Sequence, residues 1–338
     1  MEVQSLSDIY SSSGLKEGTV YVVPKIRYQH KDSDYLYLLY EPVLKQNNYR
    51  IESVSVFGHI KFVIKAITSK NVLLHYHWFE FQDFKALSGM PWKVLCIFIF
   101  KLFGGKLVWT VHNLKPHDRK WLKFHKFIQT WLAKKADHLH VHCISAMVEV
   151  SEFLSVSSSK ISVLPHPDFP VKHYSKFEAI QYLNSKFSLS LDTNLPLILF
   201  FGNISNYKRI EEALIVLNSI DIKHQVLIAG PVKKGQINLL KILEDTAQKH
   251  SNIKILPSFI QDEWIPYIFS ASDISFFNFD DILTSGSFQM ALDYDKKIIA
   301  PNKGCLSEFS EADNVFLFNS DSEMKSHIRN VLEALNYE

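Results

Sequence analysis

The chain has 338 residues, of which 47% are hydrophobic and 21% charged, with a formal net charge of +2. That length suggests two domains, and that composition favours a folded protein over a disordered one. The near-neutral balance excludes a globally basic nucleic-acid binder, and no nucleic-acid motif is present.

The first residues, Met1 to Gly18, are polar and Ser-rich and lack a basic-then-apolar leader pattern. Strand and helix then alternate. Thr19–Val23 reads as a strand, Tyr35–Gln46 has helical spacing, Ile51–Val56 alternates as a strand, and Lys61–Ser69 is helical. Val72–Tyr76 is a strand ending in His75, His77 and Trp78, followed by Glu80. Trp92–Phe103 reads as a buried helix. Its apolar run, Val94 to Phe103, is broken by Lys101 and is shorter than the ~20 residues a membrane span requires. The expected location is therefore cytoplasmic, with peripheral contact at the inner face of the plasma membrane.

Leu107–Val111 is a strand ending in His112 and Asn113, with His117 and Asp118 close behind. Histidine and carboxylate at adjacent strand ends suit hydroxyl binding and proton acceptance. A His-x-His pair can also chelate, but no third ligand is evident, so no metal is expected. Lys115–Lys135 carries seven Lys/Arg against the single acid Asp118, interleaved with Trp121, Phe124, Phe127, Ile128 and Trp131. Such a segment suits an anionic membrane surface. The same aromatics would equally serve as a core face with solvated lysines. His138–Cys143 and Lys160–Leu164 are strands, with a helix at Ala146–Phe153 between them.

Residues 1–170 therefore read as one α/β domain, 171–194 as a linker with some helix at Glu178–Lys186, and 195–338 as a second α/β domain. Its last helix, Glu323–Leu335, is free to pack back on the first domain. Strands in the second domain are Leu197–Phe201, Gln225–Ala229, Ile253–Leu256, Ile274–Phe277 and Lys297–Ala300. Gly202 and Asn203 follow the first of these, with Lys208 and Arg209 beyond. Thr284, Ser285, Gly286 and Ser287 precede the helical stretch Phe288–Leu292. Free amides and the dipole at a helix start favour an anion, and strand carboxyl ends are where open α/β sheets bind nucleotides. An ordinary helix cap and a Glu211–Glu212 ion-pair partner for the cations are the plainer readings. Phe259 and Ile260 lie after a strand end, where they would stack a base or simply pack in the core.

The chain resembles two-domain glycosyltransferases of the GT-B fold, especially bacterial ones that build surface polysaccharides such as exopolysaccharide, capsule and O-antigen. The resemblance is carried by His75-x-His77-Trp78 with Glu80, Trp109-Thr-Val-His112-Asn113 with Pro116-His117-Asp118, Phe201-Gly202-Asn203 with Tyr207-Lys208, Ala229-Gly230-Pro231, and Thr284–Ser287 through Pro301. It spans roughly Gly18 to Phe318. It implies two Rossmann-like domains facing across a cleft, with the donor on the second and the acceptor on the first.

By the resemblance, a UDP- or GDP-linked sugar would be held by Gly202, Asn203, Lys208, Arg209, Phe259, Ile260, Thr284, Ser285, Gly286, Ser287 and Gln289, without metal or cofactor. A glycan or lipid diphosphate-linked acceptor would meet His75, His77, Trp78, Asn113 and His117. Asp118, Glu80 and His112 are the candidate bases, in falling order. Two departures stand out: the glutamate pair common in retaining members is absent, leaving Gln289 as a substitute for ribose recognition, and Val23-Pro24-Lys25 replaces the usual glycine pair after the first strand. Alternative readings are a nucleotide-sugar epimerase on the same fold, a non-catalytic sugar-binding partner of another transferase, and a membrane scaffold.

Overall fold

The computed structural model describes residues 4–79, 87–116 and 121–335. The chain divides into two compact units, Met1–Pro167 and Asp168–Glu338. Each is a six-stranded sheet whose pairings are all parallel among the described residues.

The first sheet contains β1 (Gly18–Val23), β2 (Tyr49–Ser53), β3 (Val72–Tyr76), β4 (Lys106–Thr110), β5 (His138–Val141) and β6 (Ile161–Val163), in the order β2-β1-β3-β4-β5-β6. Strands covered on both faces need apolar residues at every position. β3 is accordingly buried throughout, yet it admits a histidine. One face is covered by the helices Leu6–Ser12 and Tyr35–Leu44. Their Leu6, Ile9, Tyr10, Leu36, Leu39, Tyr40 and Val43 cluster with Val20, Val22, Leu73 and Val108 of the strands. Asp34 starts the second of these helices: its carboxylate accepts from the Tyr37 amide at 2.9 Å and pairs with Arg27 at 2.6 Å. The cap fixes where Tyr35 and Tyr40 enter the face.

The second sheet contains β7 (Leu197–Phe201), β8 (Gln225–Ala229), β9 (Ile253–Leu256), β10 (Ile274–Phe276), β11 (Lys297–Pro301) and β12 (Val315–Phe318), in the order β12-β11-β10-β7-β8-β9. The winding reverses between β7 and β10, and the crevice outside their carboxyl ends is where such sheets take ligands. The last helix, Asp321–Leu335, packs Met324, Ile328, Val331 and Leu332 into the core of this unit, against Ile198, Phe200 and Leu214 among others.

The segment 171–194, expected as a linker, holds the helix Lys176–Phe187, started by a capping box between Ser175 and Glu178. It lies within the second unit. Tyr267 is stacked between Tyr174 and Tyr182, at 4.1 and 3.8 Å, and Lys176 pairs with Asp273 at 2.7 Å.

Candidate active site

In the second unit, the chain leaves β7 at Gly202 in a left-handed conformation, φ +90°. A β-carbon there would sit 3.1 Å from Lys208 Nζ and 4.0 Å from the Ser287 β-carbon. The loops Gly202–Arg209 and Thr284–Ser287 therefore meet at this glycine. Gly230, after β8, presses on the same turn: a β-carbon at its φ of +151° would lie 2.3 Å from the Gly202 carbonyl oxygen. Two further contacts tie the Lys208 loop to the exit of β10. Asn278 Nδ2 donates to the Arg209 carbonyl at 3.1 Å, and the Asp280 amide donates to the Tyr207 carbonyl at 2.8 Å.

Lys208 ends the short 3-10 helix Asn206–Lys208 and is only 7% exposed. Its Nζ donates to the Phe201 carbonyl at 2.6 Å beside a small cavity lined by Phe200, Phe276, Phe277, Asn278 and Phe279. Burial lowers its pKa from 10.5 to about 7.

Facing it, Ser285 caps the helix Gly286–Asp293, accepting from the Phe288 amide at 3.2 Å, and its hydroxyl lies 3.1 Å from that of Ser287. The amides of a helix's first turn lack intrahelical acceptors and carry the positive end of its dipole. The assembly is thus a buried lysine and a helix start flanking one glycine, suited to a diphosphate.

Other expected donor residues are placed differently. Arg209 adopts a left-handed φ of +46° and pairs with Glu212 at 3.3 Å. Asn203 and Phe259 are exposed, whereas the Ile260 side chain is buried at 6% exposure. Thr284 is half-buried. Gln289 donates its amide to Asp293 at 2.8 Å, and Asp293 also accepts from the Phe169 amide at 2.7 Å. Burial raises the pKa of Asp293.

In the first unit, Glu80, His117 and Asp118 lie outside the described residues. His75 and His77, expected to touch an acceptor, are each fully buried at 0% exposure. His75 on β3 and His140 on β5 flank Thr110 on β4, while His77 lies beyond the end of β3. Trp78 is 40% exposed and stacks on His112 at 4.3 Å, with ring planes 10° apart. Asn113 is half-buried, and its carbonyl accepts from Gln129 Nε2 at 3.3 Å. Burial pushes the pKa of His75, His77, His112 and His142 well below the usual histidine value and that of His140 to about 4, so these rings are neutral at pH 7. Among the described residues, no group of three His, Cys, Asp or Glu is placed to hold a metal ion.

The reading from sequence missed Tyr10, Tyr35, Tyr40, Thr110, His140 and His142. The alternation His138-x-His140-x-His142, parallel to His75-x-His77, was the available signal, since period-two residues share a sheet face. It also missed Asn278, whose signal was its place just past β10 at the reversal of strand order.

Solved structures share this architecture. The Anabaena protein HepE, in complex with UDP and glucose, superposes with a TM-score of 0.66 at 14% identity, covering 94% of this chain and 89% of its own. A sucrose-phosphate synthase from Thermosynechococcus elongatus gives 0.70 at 14% identity, covering 95% and 91%. The chain has the GT-B fold. Among curated proteins, a GDP-mannose:glycolipid 4-beta-D-mannosyltransferase of Xanthomonas campestris pv. campestris is 23% identical over 245 residues, 70% of this chain. The match spans 63% of the length of that relative. No family model matches the chain.

Proposed function

We propose that this chain is a glycosyltransferase that moves a sugar from a nucleoside diphosphate sugar to a hydroxyl of a glycan or lipid-linked glycan in cell-surface polysaccharide synthesis. The observation that carries the reading is the meeting of Gly202, Lys208 and Ser287 at the strand-order reversal of the second sheet. The likeness to a mannosyltransferase named for GDP-mannose and a glycolipid, and to a structure holding UDP and glucose, supports a nucleotide-sugar donor. Lys208 and the amides of Ser285–Ser287 would stabilise the departing diphosphate, a role that fixed donors perform best where water is excluded. Asp118, Glu80 and His112 remain the candidates for the acceptor's proton.

A lipid-linked acceptor requires access to a membrane surface, and the first unit has exposed groups suited to one. On the helix Leu122–Lys135, Phe124 and Phe127 are exposed beside Lys123 and Lys126, while Ile128 and Leu132 form its buried face. The helices His59–Thr68 and Met90–Leu102 expose Ile60, Ile64, Ile67, Leu95, Phe98 and Leu102 and carry no acidic residue. Among the described residues, no helix is long and apolar enough to cross a membrane. Apolar side chains with adjoining lysines fit peripheral contact with anionic lipid.

The direct test is a thermal-shift panel of UDP, GDP, ADP and their sugars, followed by turnover of the sugar that binds. Lys208→Ala should reduce kcat on the order of 100-fold, the scale for losing one stabilising donor, while the melting temperature falls only modestly. Near-normal transfer by this variant would refute the role given to Lys208, and the absence of binding by every nucleotide would refute the function.

A further inference from the structure

The hydrogen bonds among the buried rings of the first unit form a chain with a defined direction. Its anchor is the Leu164 carbonyl, which can only accept. His140 Nε2 lies 3.0 Å from it and must carry a proton. A neutral imidazole has one N–H, so His140 Nδ1 is a bare lone pair. Thr110 Oγ1, 2.8 Å away, donates to it. The threonine oxygen then accepts from His75 Nε2 at 2.8 Å, which makes His75 Nδ1 an acceptor.

Tyr40 lies 2.5 Å from that nitrogen, too close for two lone pairs, so its hydroxyl donates. Tyr10 points its hydroxyl at the same nitrogen from 2.9 Å. With its proton used, the Tyr40 oxygen accepts from His77 Nε2 at 3.1 Å. His77 Nδ1 is consequently an acceptor, and the atom 3.2 Å from it is His112 Nε2. Burial keeps His75, His77, His112 and His140 neutral at pH 7, so each has one donor and one acceptor.

We infer that this relay, running from the Leu164 carbonyl through Thr110 and Tyr40, fixes His112 as its Nε2–H tautomer and leaves Nδ1 as a permanent hydrogen-bond acceptor. His112 Nδ1 has no hydrogen-bond partner among the described residues. The ring is held in place by the Trp78 stack on its face and by His77 at its edge. The ligand group that suits it is a hydroxyl donating a hydrogen bond, and an anion or a carbonyl oxygen is disfavoured there. That the hydroxyl belongs to a sugar rests on the proposed function; the tautomer does not. Thr110, His75, His77, Tyr40 and His140 are positioning residues in this scheme.

The test is the nitrogen-15 spectrum of the histidine rings in the intact protein at pH 7, with His112 assigned by substitution. The expected result is a pyridine-type Nδ1 and a pyrrole-type Nε2. A protonated Nδ1, or an even mixture, overturns the inference.

Thr110→Val removes the oxygen that accepts from His75. Because an orphaned buried N–H is rarer than an orphaned acceptor, His75 should shift its proton to Nδ1. Every bond down to His112 then reverses, and its Nδ1–H form appears. Thr110→Ser should keep the native tautomer, and an unchanged His112 in Thr110→Val overturns the relay. If Thr110→Val does not fold, Tyr40→Phe cuts the chain between His75 and His77 and should give a mixture at His112; a pure Nε2–H form there also overturns it. A wrong tautomer with intact sugar transfer defeats only the relay, and the right tautomer without transfer defeats only the proposed function.

Discussion

Lys208 shows how one buried amine can be tuned by what surrounds it. Its Nζ donates to the Phe201 carbonyl beside a cavity lined by phenylalanines, and desolvation brings its pKa down to about 7. Before a ligand arrives, the amine is about half charged at neutral pH. A diphosphate would favour the ammonium form strongly. Below pH 7 the proton is already present; above it, binding must draw one from solvent. Nucleotide affinity should therefore fall as pH rises through about 7, by up to about tenfold per unit, following proton linkage. Calorimetry at pH 8 in buffers of different ionisation heat should show close to one proton taken up by the wild type and none by Lys208→Met. Equal proton uptake by both proteins would assign the titration to another group. The order of residues, glycine then lysine after a strand, was legible in the sequence. The burial that moves the pKa was not, because it depends on Phe276, Phe277 and Phe279, at the end of β10 and just past it, arriving from about 70 positions along the chain.

The helix Gly286–Asp293 is short, and its start is capped by Ser285; under the proposed function it would also present amides to the diphosphate. Ser285→Ala removes the oxygen that accepts from the Phe288 amide and should lower stability by about 1 kcal/mol, whereas Ser285→Gly should cost only a few tenths. If the amides rather than the hydroxyl hold the diphosphate, Ser285→Gly should retain most of the nucleotide affinity. Denaturant melts and nucleotide titrations of both variants check this, and a loss of affinity in Ser285→Gly as large as in Lys208→Ala would transfer the role to the hydroxyl. Gly230→Ala should be worse than either, since its β-carbon would overlap the Gly202 carbonyl. Elements built from apolar runs, such as β3, β7 and β8, were readable because burial on both faces writes itself as continuous hydrophobicity. β12 was not, its run Val315–Phe318 being short and only half-buried. The helix Leu6–Ser12 hid among serines, its apolar contribution being Leu6, Ile9 and Tyr10. The stretch Trp92–Phe103 read as a buried helix, yet Leu95, Phe98 and Leu102 are exposed, because composition records how apolar a helix is and not which neighbours cover it.

Across the whole molecule, buried histidine is unevenly shared, and this gives the two units different responses to acid. The first holds His59, His75, His77, His112, His138, His140 and His142, all with pKa lowered by burial, to about 4 for His59 and His140. In the second, burial lowers the value of His224. An unfolded chain protonates each histidine near pH 6.5, whereas in the folded first unit His59 and His140 resist until about pH 4 and the other five are held below the usual value. The unfolded state therefore binds more protons across that window, so stability present above pH 6.5 is lost as pH falls towards 4. Each ring that remains neutral in the fold contributes a loss of about 1.4 kcal/mol per pH unit. With several such rings, the first unit should unfold between pH 6 and 4, while the second retains its structure until carboxylates titrate. Hydrogen exchange followed by peptide, corrected for intrinsic rates, should show protection lost first over β3, β4 and β5 and kept over β7, β8 and β10. Replacing His59, which lies apart from the relay and contacts Ser55 and Tyr76, by Gln should move the first unit's midpoint to lower pH. Simultaneous loss of protection in both units, or a midpoint unmoved by His59→Gln, would show that burial of neutral histidine does not set the acid limit.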